Sequence, residues 1–257
     1  VPEPIRSIPP PPVLELGGYR VRLAVDAEDL LQAQRLRFEV FHEELGEGLV
    51  GAAALGLDVD RFDPHCEHLL LCEATTGTVV GTYRLQTAER AAAGEGFYCD
   101  GEFVLADLPA AVLDAGLELG RACVARAHRQ SPALFALWRG IAARLGALGK
   151  RYVFGCCSLT GVDEGLAATA AAWIGAEGHL DPSCRARVRP SMAVDGRAAA
   201  RATVFHPPTL FATYLRFGAR VCGGPALDRE FGTTDFLVLL DTDRLTPRQR
   251  AMFFNGP

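Results

Sequence analysis

Leu117-Glu-Leu-Gly-Arg-Ala-Cys-Val-Ala125 reads as a strand, and what surrounds it decides the fold. Ser131-Pro132 follows as a helix start, a capping side chain and then proline at the first helical position. Leu134, Leu137, Ile141, Leu145 and Leu148 recur at the helical period until Gly149 stops them. Arg151 to Leu159 is then a buried strand. Toward the N-terminus, Tyr19 to Val25 alternates as a half-buried strand, and Asp26 caps a helix over 27–45. Residues 46–63 form a loop that turns acidic at Asp58, Asp60 and Asp63. Strands 68–73 and 78–87 are joined by Ala-Thr-Thr-Gly, a hairpin signature. A short helix begins near Asp107. Toward the C-terminus lie an Ala-rich helix over 164–177, a helix from Pro207-Pro208 to Phe217 and a strand over 234–241. Pro-rich residues 1–18 read as an extended leader, and 19–257 as one domain. The order β-α-ββ-β-α-β lacks repeated βα alternation with a Gly-rich first turn, so a dinucleotide-binding fold fits poorly. An α/β (α+β) architecture with one central mixed sheet flanked by helices fits better.

Composition narrows the function classes. The 257 residues are 49% hydrophobic and carry a net charge of −5, unlike the basic balance of a duplex-binding protein, so no nucleic-acid partner is expected. No apolar run approaches membrane-span length. The eight cysteines show no C-x-x-C spacing and read as buried reduced thiols of a cytosolic protein. His65, Cys66 and His68 lack a second ligand cluster, so no metal is expected. Arginine supplies the positive charge except at Lys150, and residues 181–220 are rich in it. That stretch suits docking of an acidic carrier protein or an anionic membrane surface, or is a solvated face.

Several residues stand where a core would not want them. Arg37 is centred on the apolar face of the first helix. It is either half of a buried salt bridge, for instance with Glu44, or an anion clamp. Arg84 shares a strand face with Val80 and Thr82 and reads from the strand alone as an edge-strand solvent arginine. Glu118 and Arg121 fall on opposite faces under strict alternation, and a bulge at Gly120 would bring them together. Asp60 and Asp63 could hold a cationic amine or form a solvated loop.

Taken in order, six segments form a pattern. They are Arg35-Leu-Arg-Phe-Glu-Val-Phe41, Asp60-Arg-Phe-Asp63 with Cys66-Glu-His-Leu69, Val80-Gly-Thr-Tyr-Arg-Leu85, Leu117-Glu-Leu-Gly-Arg121, Tyr152-Val-Phe-Gly-Cys156 and Asp228-Arg-Glu-Phe-Gly-Thr-Thr-Asp235. Over about 19–245 the chain resembles the carrier-protein-dependent N-acyltransferases that form lyso-ornithine lipid, a family often labelled hemolysin-like. It is similar also to acyl-homoserine-lactone synthases and long-chain N-acyl amino acid synthases. The lactone synthases carry a tryptophan shortly after the first helix, where this chain reads Leu45-Gly46.

The resemblance implies a GNAT fold with the sheet splayed between its fourth and fifth strands, 117–125 and 151–159. It implies transfer of a (3-hydroxy)fatty acyl group from acyl carrier protein to an amino-acid α-amine, most readily that of L-ornithine, with no bound cofactor. Glu118 would be the base or its orienter, with Arg121 fixing it, and an oxyanion donor would lie at the backbone of 120–122. Arg37, with Phe41, and Arg84 would bind the acceptor carboxylate, and Asp60 or Asp63 its side-chain ammonium. Phe97, Phe103 and Trp138 would wall the acyl slot. Arg126 and Arg129 would meet the pantetheine phosphate. The expected setting is cytoplasmic, and transient peripheral contact at the inner membrane through 185–220 is a hypothesis to be tested. A lactone synthase and a non-catalytic GNAT-like binding module are the competing readings.

Overall fold

The computed structural model describes residues 13–49, 51–195, 199–201 and 204–254. The Pro-rich run before residue 13, and Arg197 of the Arg-rich stretch, lie outside them. Among the described residues nine strands form one sheet: β1 (Leu14–Leu16), β2 (Tyr19–Leu23), β3 (Glu67–Glu73), β4 (Val79–Thr87), β5 (Gly116–Val124), β6 (Tyr152–Thr160), β7 (Arg220–Val221), β8 (Ala226–Asp228) and β9 (Thr233–Asp241). The order is β1-β2-β3-β4-β5-β6-β9-β7, with β8 also on β9. Among the strands of the described residues β5 and β6 are the parallel neighbours, and an isolated parallel bridge joins Leu180 to Val221. Leu14–Leu16 therefore belongs to the sheet rather than to a leader, because it closes a hairpin onto Tyr19–Val21.

Helix α1 (Ala27–Arg37) is capped by the Asp26 carboxylate, which accepts the Asp29 N–H. At Arg37 the pitch widens into a π-helical segment over Phe38–Glu44, so the expected helix over 27–45 is two geometries in series. Short helices α2 (Ala52–Leu55), α3 (Ala88–Ala93) and α4 (Ala110–Asp114) lie in the loops. Helix α5 (Ala133–Ala147) packs Ala133, Leu137, Ile141 and Leu145 onto Val21, Leu69 and Leu117 of the sheet. Its start is shifted by one from expectation: Pro132 is the cap, and the Ser131 hydroxyl accepts the Ala133 N–H. Helices α6 (Glu164–Ala176), α7 (Thr209–Arg216) and α8 (Pro247–Phe254) follow.

The parallel register of β5 and β6 ends after three pairs, the last being Glu118 with Phe154. Beyond it β5 stays with β4 and β6 stays with β9, so the sheet opens into a wedge. Gly155 marks the parting point, where a Cβ would lie 2.3 Å from the Leu119 carbonyl oxygen. All eight cysteines are free; seven are buried and Cys156 is half-buried. No helix among the described residues is long and apolar enough to cross a membrane.

Candidate active site

The wedge holds a cavity of about 360 Å³. One wall is the β5 bulge. Thr82 pairs with Cys123 and Arg84 with Gly120, which leaves Arg121 and Ala122 together opposite Tyr83. The bulge thus falls one residue beyond Gly120. Arg121 takes φ 48°, a left-handed conformation rare for a side-chain-bearing residue. The opposite wall is β6 and β9, including Cys156, Ser158 and Asp235. Leu119, Val153, Tyr214 and Leu240 line its apolar part and also line a smaller apolar cavity against Trp138 and Phe253.

Three arginines and three aspartates form a charge-balanced network beside the bulge. Arg37 binds Asp63 at 2.6 Å and Asp58 at 2.8 Å, and also donates to the Asp58 carbonyl. Arg84 reaches Asp60 at 2.6 Å and Asp63 at 3.2 Å. Arg121 reaches Asp60 at 3.0 Å and Asp58 at 3.4 Å. Burial alone would raise the Asp63 carboxyl, yet the Arg37 hydrogen bond and the charges of Arg37 and Arg84 hold it well below the usual carboxylate range.

This geometry corrects several expectations. Arg37 is fully buried, does not line the cavity and pairs with the aspartates; Glu44 instead binds Arg129 at 2.6 and 2.7 Å. Asp60 and Asp63 are paired with guanidiniums rather than held open for an ammonium. Arg84 sits in the sheet interior at 4% exposure and is no edge residue. The Glu118–Arg121 pair does not form. Glu118 accepts the backbone N–H groups of Tyr98 at 3.1 Å and Cys99 at 2.8 Å and does not line the cavity. Burial raises its pKa, against the backbone bonds and Arg84. Phe103 is core, and Phe97 packs edge-on to Phe154, so neither walls the cavity. Arg126 and Arg129 are exposed just past β5. In the Arg-rich stretch, Arg187, Arg189 and Arg201 are bound to Asp107, Asp100 and Asp163.

Phe41, Arg84, Arg121 and, in the smaller cavity, Trp138 do line the space. The Nε and Nη2 of Arg84 and the Nη1 of Arg121 make no hydrogen bond among the described residues. Tyr98 lies beneath both, its ring 5.5 Å from the Arg84 guanidinium carbon and 5.3 Å from that of Arg121. Glu118 sets this tyrosine through the backbone of its 3-10 turn. Sequence reasoning missed Tyr98, Glu47 and Asp235 as cavity groups. Only Asp235 carried a signal, as the end of the Asp228–Asp235 motif. Glu47 lines the cavity, and burial raises its pKa against a hydrogen bond from Thr160.

Residues 36–139 match the acetyltransferase (GNAT) domain family. A protein of Rhodobacter capsulatus named L-ornithine N(alpha)-acyltransferase is 38% identical, with 92% of this chain and 95% of that protein covered. Among solved structures, the CoA-dependent acyl-homoserine lactone synthase MesI superposes with TM-score 0.54 at 15% identity, covering 93% of this chain and 97% of that one. FeeM, an N-acyl amino acid synthase from uncultured soil microbes, superposes with TM-score 0.53 at 10% identity, covering 92% and 95%. At such identities the two structures establish the shared fold, whereas the sequence relative establishes kinship: the chain belongs to the L-ornithine N(alpha)-acyltransferase family.

Proposed function

We propose that this acyltransferase moves a fatty acyl group from a carrier-protein thioester to the α-amine of L-ornithine, in the wedge between β5 and β6. The observation that carries the reading is the cavity itself, with two guanidiniums offering free N–H groups at one end and apolar walls running away from them. The spare donors of Arg84 and Arg121 suit the acceptor's carboxylate. The backbone at the bulge suits the developing oxyanion of the thioester carbonyl. Holding both reactants there supplies the proximity that acyl transfer needs. Glu47 takes the proton from the attacking amine, since burial has raised its pKa and no ion pair holds it among the described residues. Glu118 acts as a positioning residue for Tyr98.

Exposed Arg126, just past the end of β5, supports a phosphopantetheine-borne donor, whereas Arg129 could meet the phosphate only by leaving Glu44. Exposed Arg185 and Arg216 support peripheral membrane contact, which sedimentation with anionic vesicles tests; no co-sedimentation would exclude it. The deciding experiment is a mass-spectrometric product assay with 3-hydroxyacyl carrier protein, acyl-CoA as control, and ornithine, lysine, glutamine or glycine as acceptor. Nα-acylornithine is expected, and Glu47→Gln should lower kcat about 10²- to 10⁴-fold. A folded protein giving no acylated amine would overturn the reading. A lactone formed only with S-adenosylmethionine would move the activity to signal synthesis.

A further inference from the structure

Outside the balanced network lies a second acidic group of opposite character. Glu102, Asp228 and Asp235 are all buried, and their carboxylate oxygens lie within 4.8 Å of one another. No guanidinium or ammonium pairs with them among the described residues, although every other buried aspartate around the cavity has an arginine. Their partners are neutral. Asp228 accepts the N–H groups of Glu230 and Phe231 and the Tyr98 hydroxyl. Asp235 accepts the Thr233 hydroxyl at 2.9 Å, and the Cys156 thiol stands 3.5 Å from Glu102. Asp235 Oδ1 and Glu102 Oε1 accept no N–H or hydroxyl hydrogen bond in the geometry of the described residues, at 2% residue exposure each, and the contact between these two carboxyls is a hydrogen bond only when one of them holds a proton. Unsatisfied carboxylate oxygens in such surroundings are costly unless a cation or protons complete them. Asp235 lines the cavity, so a cation can reach the group from the reaction space.

Tyr98 ties this group to the arginines. Its ring lies beneath Arg84 and Arg121, and its hydroxyl is 3.1 Å from Asp228 Oδ2. The carboxylate-binding and acidic poles of the cavity are thus about one tyrosine apart. A short α-amino acid with a terminal amine has that reach and that charge pattern. We infer that Glu102, Asp228 and Asp235 form the recognition site for the side-chain ammonium of a diamino-acid acceptor, with Asp235 making the direct contact. The inference deepens the amino-acid N-acyltransferase reading and rests on it.

The site also explains which amine reacts. An ammonium held among three carboxylates stays protonated, and a protonated amine has no lone pair for attack. The α-amine, held near the arginine pole and the bulge, is the one free to lose its proton. Without a bound cation the group retains protons. Burial and then the charges of Asp235 and Asp228 raise Glu102 well above its ordinary value, and burial pushes Asp235 up to about 6.

The test compares L-ornithine with L-norvaline, which has the same carbon chain and lacks the amine. The wild-type protein should prefer ornithine by at least tenfold in kcat/KM. Asp235→Asn should collapse that preference through a raised KM for ornithine, and Glu102→Gln should do the same if Asp235→Asn fails to fold. Equal losses with both acceptors, or no wild-type preference, would overturn the inference while leaving the acyltransferase reading standing. Calorimetric titration with ornithine and no acyl donor gives an answer independent of turnover. Ornithine binding that Asp235→Asn abolishes supports the site even if no acyl product ever forms. Binding of Mn²⁺ that Asp235→Asn abolishes, with ornithine binding unchanged, would make the group a metal site instead.

Discussion

Replacing Arg37 by alanine would strand Asp58 and Asp63 in the interior without their main cation. Breaking a buried pair from one side typically costs about 3–5 kcal/mol, so the melting temperature should fall sharply even though Arg37 lies outside the cavity. Asp60 and Asp63 add an acid dependence. Their folded pKa values lie below the unfolded one, so their contribution is complete above about pH 4 and is lost as pH falls from there. Melting curves taken across that range should steepen on the acid side, and Asp63→Asn should flatten the slope; an unchanged slope would contradict the assignment. At this scale the sequence showed that Arg37 was out of place on an apolar face, because helical periodicity is local. It could not show the partner. Asp63 lies 26 residues away in a loop, and the π-helical pitch after Arg37 takes Glu44 toward Arg129. Tyr98 left no trace at all, since a tyrosine in a short turn looks like any other until Glu118 fixes its backbone.

The parting of β5 from β6 depends on one position. A methyl group at Gly155 would meet the Leu119 carbonyl oxygen, which belongs to backbone and cannot swing aside. Gly155→Ala should therefore cost about 1–3 kcal/mol, read as a lower denaturation midpoint, and should lower kcat by displacing the bulge. A variant with unchanged midpoint and turnover would show that the wedge tolerates closer strands. Both strands were legible as apolar runs, as were β3, β4, β9 and α5, because each is long enough to display its period. β1, β7 and β8 span only two or three residues, too few for alternation to register. The bulge was foreseen from glycine's permissiveness, but Gly120 keeps its pairing with Arg84 and the strain falls on Arg121.

Across the molecule, the cavity borders the smaller apolar one through shared walls, and aromatic groups stand at the boundary. Trp138 stacks on Tyr214 at 5.3 Å and donates to the Tyr83 hydroxyl, which is 2.7 Å from that of Tyr214. Trp138→Leu should join the two spaces and shift the product profile toward longer acyl chains when mixed carrier-protein thioesters compete. A profile unchanged from wild type would place the acyl tail elsewhere. The order of elements sufficed to read the architecture, whereas the cavity arises where residues from β4, β5, β6, β9 and the turn at Tyr98 converge. That convergence is a property of long-range register, which periodicity along one strand does not encode.

The distribution of thiols turns the protein into its own stopwatch. Burial pushes Cys66 and Cys123 up to about 12, and a protonated, inaccessible sulfur is a poor nucleophile. Alkylation of these sites must then wait for the surrounding structure to open, so each mass increment dates the opening of one part of the chain. The Cys156 thiol is also raised well above its ordinary value, by its contact with Cys99 and by burial, so access alone sets it apart: half-buried on the cavity wall, it should be tagged slowly but first, and an occupant of the cavity should slow that first tick while leaving the later ones in step.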